Sequence, residues 1–162
     1  ALAMRRPRTV VTRTFSKAFG LAAMRVGYAV CDPEVADILN RLRDPFNVNA
    51  IGQRAAIAAL EDQEHVERSC THNAEELPRL AKGLAGLGLK TTPSVANFLL
   101  AELSEGQPSL DDVNEALLKR GVIIRPVKNY GLPRSARITV GTRVENDRLL
   151  AALADVLVGE DA

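Results

Sequence analysis

The sequence predicts a mixed α/β fold. Three observations carry this: short β-branched runs alternate with longer amphipathic stretches, capping residues stand at the ends of those stretches, and no repeat or low-complexity segment interrupts them. Thr9-Val10-Val11-Thr12 is the first such run and reads as a buried strand. A small-residue segment over 16–23 leads to a second strand over 26–30. Asp32-Pro33-Glu34 starts a helix, with Asp at the N-cap, Pro in the first turn and Glu beyond it; the helix runs to about Arg43. Pro45-Phe46-Asn47-Val48-Asn49 follows as a loop, with Asn47 and Asn49 either hydrogen-bonding partners or simple turn caps. Residues 51–60 are Ala-rich and helical, and 64–87 form a long amphipathic helix with Leu77, Leu80, Leu84 and Leu87 on one face. Pro78 predicts a kink or a break in it, and Gly86 and Gly88 end it.

A strand over 96–103 and a turn through 105–108 come next. Ser109 caps a helix over 110–120, with Asp111 and Asp112 at its positive end and Gly121 closing it. Strands over 122–124 and 136–141 and a helix over 145–158 complete the chain. The order is β-β-α-α-α-β-α-β-β-α, with a domain boundary near Asp44 that separates 1–44 from 45–162.

Composition narrows the function. The 162 residues are 46% hydrophobic and 25% charged, ordinary for a globular protein able to bury a core. A net charge of +1 gives no field to gather nucleic acid or an anionic membrane, and the absence of Trp argues against a base-stacking surface. No stretch reaches the roughly 18 apolar residues that span a bilayer, and no apolar run follows the basic Arg5 and Arg6 as a signal peptide requires. Cys31 and Cys70 form no CxxC and read as buried or neutral thiols of a reducing cytoplasm. His65 and His72, seven apart, lack the spacing of metal ligands on one helix and read as surface residues, so no metal site is expected.

The densest chemical signal is Thr14-Phe15-Ser16-Lys17-Ala18-Phe19-Gly20-Leu21-Ala22-Ala23-Met24-Arg25-Val26-Gly27. A lysine amine forms a Schiff base with an aldehyde when burial or a cationic neighbour lowers its pKa. The hydroxyls of Thr14 and Ser16, with the guanidinium of Arg25, suit a phosphate dianion. The same residues also allow a plainer reading, in which Lys17 is a solvated loop lysine and Arg25 half of a surface ion pair.

This stretch resembles the lysine motif of the fold type I pyridoxal-phosphate aminotransferases: Thr-x-Ser-Lys-Ala, small residues, then Arg-x-Gly-Tyr. It matches at Thr14, Ser16, Lys17, Ala18, Gly20, Arg25, Gly27 and Tyr28, while Ala23 stands where many relatives have glycine. Pro45-Phe46-Asn47-Val48-Asn49, Gly121-Val122-Ile123-Ile124-Arg125-Pro126, Ala136-Arg137-Ile138-Thr139-Val140-Gly141-Thr142 and Glu145-Asn146 are similar to segments of histidinol-phosphate aminotransferases. The resemblance implies that 1–44 end the large cofactor-binding domain and that 45–162 form an interdomain helix and the small C-terminal domain. It makes Lys17 the Schiff-base lysine of pyridoxal 5'-phosphate and the proton carrier. Thr14, Ser16 and Arg25 would hold the cofactor phosphate, and Arg137, joined by Arg125, the acidic end of the substrate. Structural ion pairs are the plainer alternative for both arginines, although a lone charge before an apolar strand needs some partner.

The reaction so implied is amino transfer between L-glutamate and imidazole-acetol phosphate, giving L-histidinol phosphate, in a cytoplasmic homodimer. The resemblance covers about the C-terminal half of the family's length. The aspartate, asparagine and tyrosine with which the family holds the cofactor ring lie upstream of the lysine, so full activity is expected to need sequence not in this chain. An aromatic amino-acid aminotransferase, a threonine-phosphate decarboxylase and a non-catalytic remnant that binds a partner are the alternatives.

Overall fold

The first two strands form a hairpin. In the computed structural model, which describes residues 8–158, β1 (Val11–Thr14) pairs antiparallel with β2 (Gly27–Val30), from Val11↔Val30 to Thr14↔Gly27. Pairing therefore starts two residues later than the β-branched run suggests, because Val11 is the first residue with a partner across the ladder. The signal-peptide reading of 1–7 lies outside the described residues. Helix α1 (Pro33–Leu42) begins as expected, with the Val35 N–H donating to Asp32 Oδ1 at 3.1 Å. Helix α2 (Ala50–Glu61) is capped by Asn49, whose Oδ1 accepts from the Gly52 N–H at 2.7 Å. Phe15, Val26 and Ala56 are the buried centre of this part, with Phe19, Leu21, Met24, Val48 and Ala59 packed around them.

Helix α3 (Gln63–Gly86) runs through Pro78 without a break. One missing N–H is offset by what the flanking residues contribute: Leu80 and Leu84 are fully buried and Glu76 and Arg79 are bonded to each other. The chain divides within α3, between Cys70 and Thr71, into two compact units, a different point from the expected boundary near Asp44.

In the second unit, β3 (Lys90–Thr91), β4 (Phe98–Glu102), β5 (Arg125–Pro126) and β6 (Ser135–Thr139) make one antiparallel sheet in the order β3-β4-β6-β5. Helix α4 (Leu110–Lys119) and helix α5 (Arg143–Val158) complete it. Leu99, Ala101, Ala136 and Ile138 of the sheet join Leu80, Leu84, Val113, Leu117, Leu149 and Leu153 of the helices in a single core. Because side chains alternate along a strand, Phe98, Leu100 and Arg137 stand on the opposite face.

Two strands were misread. The apolar run over 122–124 is not a strand: the Val122 N–H donates back to the Leu117 carbonyl, past Gly121 in the left-handed conformation, and Val122 and Ile124 turn into the core. Pairing begins only at Arg125. β3 was missed because two residues carry no readable alternation. The histidines are half-buried rather than on the surface, with His72 Nε2 at 2.8 Å from the Gly141 carbonyl oxygen. Both cysteines are free, and Cys70 is exposed. Among the described residues no helix is long and apolar enough to cross a membrane.

A polar knot joins α3 to the start of α5. Asn146, 1% exposed, donates to Glu76 Oε2 at 2.8 Å and accepts from the Gly141 N–H at 2.9 Å. Arg79 donates to both Glu76 oxygens and to Asp147. Thr142 and Glu145 form a reciprocal capping box, with the Thr142 N–H 2.7 Å from Glu145 Oε2. The bonds from Arg79 and then Asn146 hold the Glu76 carboxyl down at about 2, from an ordinary 4.5. A carboxyl lowered on folding stabilises the native state above its ordinary pKa and loses that contribution as protons bind. The stability difference between the wild type and Glu76→Gln should therefore be full above about pH 4.5 and shrink toward pH 2, read from denaturant midpoints across that range.

Candidate active site

The lysine sits in a tight return between β1 and β2. Phe15 is buried and its backbone ties the loop at two points: its N–H donates to the Val26 carbonyl at 3.1 Å and its carbonyl accepts from the Leu21 N–H at 2.9 Å. The Phe15 ring stacks on Phe19 with centroids 4.8 Å apart. Between these anchors Lys17 is exposed, and its carbonyl accepts from the Gly20 N–H at 2.8 Å. Thr14 Oγ1 accepts from the Ser16 N–H at 3.1 Å, which fixes both hydroxyl residues at the mouth of the hairpin. Thr14 is the Cα partner of Gly27, so Ser16 and Arg25, each two residues away, belong to the same end.

Arg25 holds a left-handed backbone, φ 56 and ψ 44, which costs a non-glycine residue roughly 1–2 kcal/mol. Its Nη1 donates to the Ala22 carbonyl at 2.8 Å, closing a one-turn 3₁₀ helix over Ala22–Met24. Helix α2 braces this loop from below. Asn49 Nδ2 reaches the Met24 carbonyl at 3.5 Å, and a Cβ on Gly52 would lie 2.7 Å from Val26 Cγ2 and 3.1 Å from the Met24 carbonyl oxygen. Strain kept in a braced loop points to a function for the guanidinium. Arg25→Gly should relieve the backbone while removing the cation: unfolding free energy should stay within about 1 kcal/mol of wild type, and phosphate binding, followed by NMR titration, should weaken at least tenfold.

Residues 8–30 contain Arg8, Arg13, Lys17 and Arg25 and no Asp or Glu. Neither Lys17 nor Arg25 makes an ion pair among the described residues, so the surface-pair reading of Arg25 fails there. The loop presents cations and hydroxyls with no internal counter-charge, the donor set a phosphate monoester requires.

The second set lies on the open face of the sheet in the other unit. Arg125 and Arg137 are direct Cα partners across β5 and β6, and Leu100 flanks Arg137 on β4. Like charges directly opposite in an antiparallel pair repel. Among the described residues neither side chain has a hydrogen bond or ion pair, and Arg137 Nε is buried without an acceptor. The structural ion-pair alternative thus finds no support at either position. Arg137 instead lies over Phe98, with Cζ 5.2 Å from the ring centroid. Tyr130 is 66% exposed.

Sequence reasoning missed Phe98, the left-handed Arg25 and the tie from Asn49 to Met24. Only the last had a visible signal, the asparagine before an Ala-rich helix.

A loop lysine beside hydroxyls and an arginine, and two arginines paired across a sheet, are residue sets found in one known class. Residues 1–153 match the family described as aminotransferase class I and II, and the chain belongs to that family. Among its relatives, the histidinol-phosphate aminotransferase of Anaeromyxobacter sp. (strain Fw109-5) is 52% identical over 158 residues, 96% of this chain and 43% of that protein. Histidinol-phosphate aminotransferase 2 of Ralstonia nicotianae (strain ATCC BAA-1114 / GMI1000) is 47% identical over 98% of this chain and 42% of its own length. The crystal structure of histidinol-phosphate aminotransferase from Sinorhizobium meliloti, in complex with pyridoxal-5'-phosphate, superposes with a TM-score of 0.84 at 32% identity, over 96% of this chain and 42% of that one. The α/β fold is therefore that of these aminotransferases, and the chain spans about two fifths of the length of the relatives it matches.

Proposed function

We propose that the chain carries the lysine and the substrate arginines of a pyridoxal-phosphate transaminase acting between L-glutamate and imidazole-acetol phosphate, with L-histidinol phosphate as product. The observation that carries this is the Arg125–Arg137 pair, two arginines directly opposite each other across β5 and β6 with no ion pair among the described residues. A planar fork accepts a carboxylate or a phosphate in the same bidentate manner, so one site serves both amino donor and phosphorylated product. The names of the relatives support histidinol phosphate as one of the substrates. In domain terms, 1–44 end the cofactor-binding domain and 45–162 supply the interdomain helix and small domain; the assembly is a cytoplasmic homodimer.

The donors at the hairpin end fit pyridoxal 5'-phosphate. Thr14, Ser16 and Arg25 would hold its phosphate, and Lys17 would join it covalently. When bound, it supplies an electrophilic carbon and a ring that draws electrons from the substrate's Cα. Lys17 Nζ would take the proton from the substrate's Cα as general base and later return one. Arg137 and Arg125 hold the substrate's acidic groups so that this proton is presented repeatedly in one orientation.

The test is chemical. The chain is incubated with micromolar pyridoxal 5'-phosphate, reduced with borohydride and digested. The cofactor's mass should appear on the peptide containing Lys17; equal labelling of Lys82, Lys90, Lys119 and Lys128 would refute the assignment.

A further inference from the structure

Arg137 reaches into a face that gives it no partner atom, yet it does not point loosely into solvent: its Nε is buried. The register shows what holds it. Arg137 pairs with Leu100, and Phe98, two residues along β4 on the same face, pairs with Thr139 and so is a diagonal neighbour of Arg137. Glu102 pairs with Ser135 and is the diagonal neighbour on the other side. An arginine between an aromatic ring and a carboxylate ordinarily takes the carboxylate. Here Glu102 is exposed and makes no ion pair with Arg137, and the guanidinium lies 5.2 Å above the Phe98 ring.

The two choices differ chemically. A carboxylate would occupy the fork and cancel the charge. An aromatic face attracts the cation through its quadrupole, restricts the side chain, and takes none of the in-plane N–H donors. We infer that Phe98 is a positioning residue for Arg137, a cation–π seat that keeps the guanidinium oriented and its donors free for an oxyanion. This rests on the reading of Arg137 as a substrate-anion ligand and adds a residue to it. Phe98 touches no reacting atom, so its effect should fall on anion affinity alone.

The experiment is an NMR titration of the intact chain with inorganic phosphate, following arginine Nε–H resonances, for wild type, Phe98→Leu, Phe98→Tyr and Arg137→Gln. In wild type the Arg137 Nε–H should be shifted upfield by the ring and should move on phosphate addition. Phe98→Leu should lose the upfield shift and bind phosphate about three- to thirty-fold more weakly, while Phe98→Tyr restores both. Unchanged backbone amide spectra of β4 and β6 in Phe98→Leu separate this from a disturbed fold. If Arg137→Gln abolishes the phosphate-induced shifts of the β4 and β6 amides and Phe98→Leu keeps them at wild-type phosphate affinity, the seat is wrong and the substrate arginine stands. If the β4 and β6 amides of Arg137→Gln respond to phosphate as they do in wild type, the arginine reading falls and takes the seat with it.

Discussion

Lys17→Ala is expected to leave the chain with no site-selective uptake of pyridoxal 5'-phosphate after borohydride reduction, where the wild type takes up one equivalent. Selectivity is the point, because any amine reacts with enough aldehyde. Lys119 and Lys128 are paired with Glu115 and Asp111 at 2.8 and 2.9 Å. Lys17 has no carboxylate partner among the described residues and shares its loop with Thr14, Ser16 and Arg25, the proposed donors for phosphate. Holding the phosphate there raises the aldehyde's effective concentration near Nζ to roughly millimolar, far above a micromolar bulk. Lys17→Arg should keep reversible phosphate binding yet be equally unreactive, since a guanidinium has no free pair to donate. Undiminished total labelling in Lys17→Ala would remove the lysine from the proposal.

The largest effect on stability is expected at Leu117. It is 0% exposed at the centre of the second unit's core, between α4 and the sheet. Leu117→Ala should lower the unfolding free energy by about 2–5 kcal/mol, a large share of the roughly 5–15 kcal/mol a domain commonly has. Leu118, one residue on, is 49% exposed, and Leu118→Ala should stay within about 0.5 kcal/mol. Urea titrations of the two variants make the comparison; equal midpoints would mean that the core is not formed as described.

These features were unequally legible. Helix starts showed clearly because one side chain decides them: Asp32 and Ser109 cap as read. The leucine stripe on α3 was equally plain, since burial follows a period of 3.6. The end of α4 shows the limit. A β-branched run after Gly121 looks like a strand, but whether Val122 bonds to a ladder or back to α4 depends on residues far along the chain. The same holds for the Thr142–Glu145 box and the buried Glu76–Asn146 bond, which joins positions 70 apart and has no local pattern. At the candidate site, the residue types came through and the conformations did not. Nothing in the letters around Arg25 predicts a left-handed backbone, because only Ala22 and the brace from α2 make that strain affordable. Cross-strand pairing of Arg125 with Arg137 likewise follows from the register, which the eleven intervening positions do not reveal.

Strand β6 has a further consequence for how this protein can change over generations. Ala136 and Ile138 answer to the core, while Arg137 between them stands on the outer face. Neighbouring codons are thus under separate constraints, and position 137 can change with little penalty to the core. Deletion of one residue within the strand is the change such a lineage cannot survive, because it would turn a cation inward and an isoleucine out.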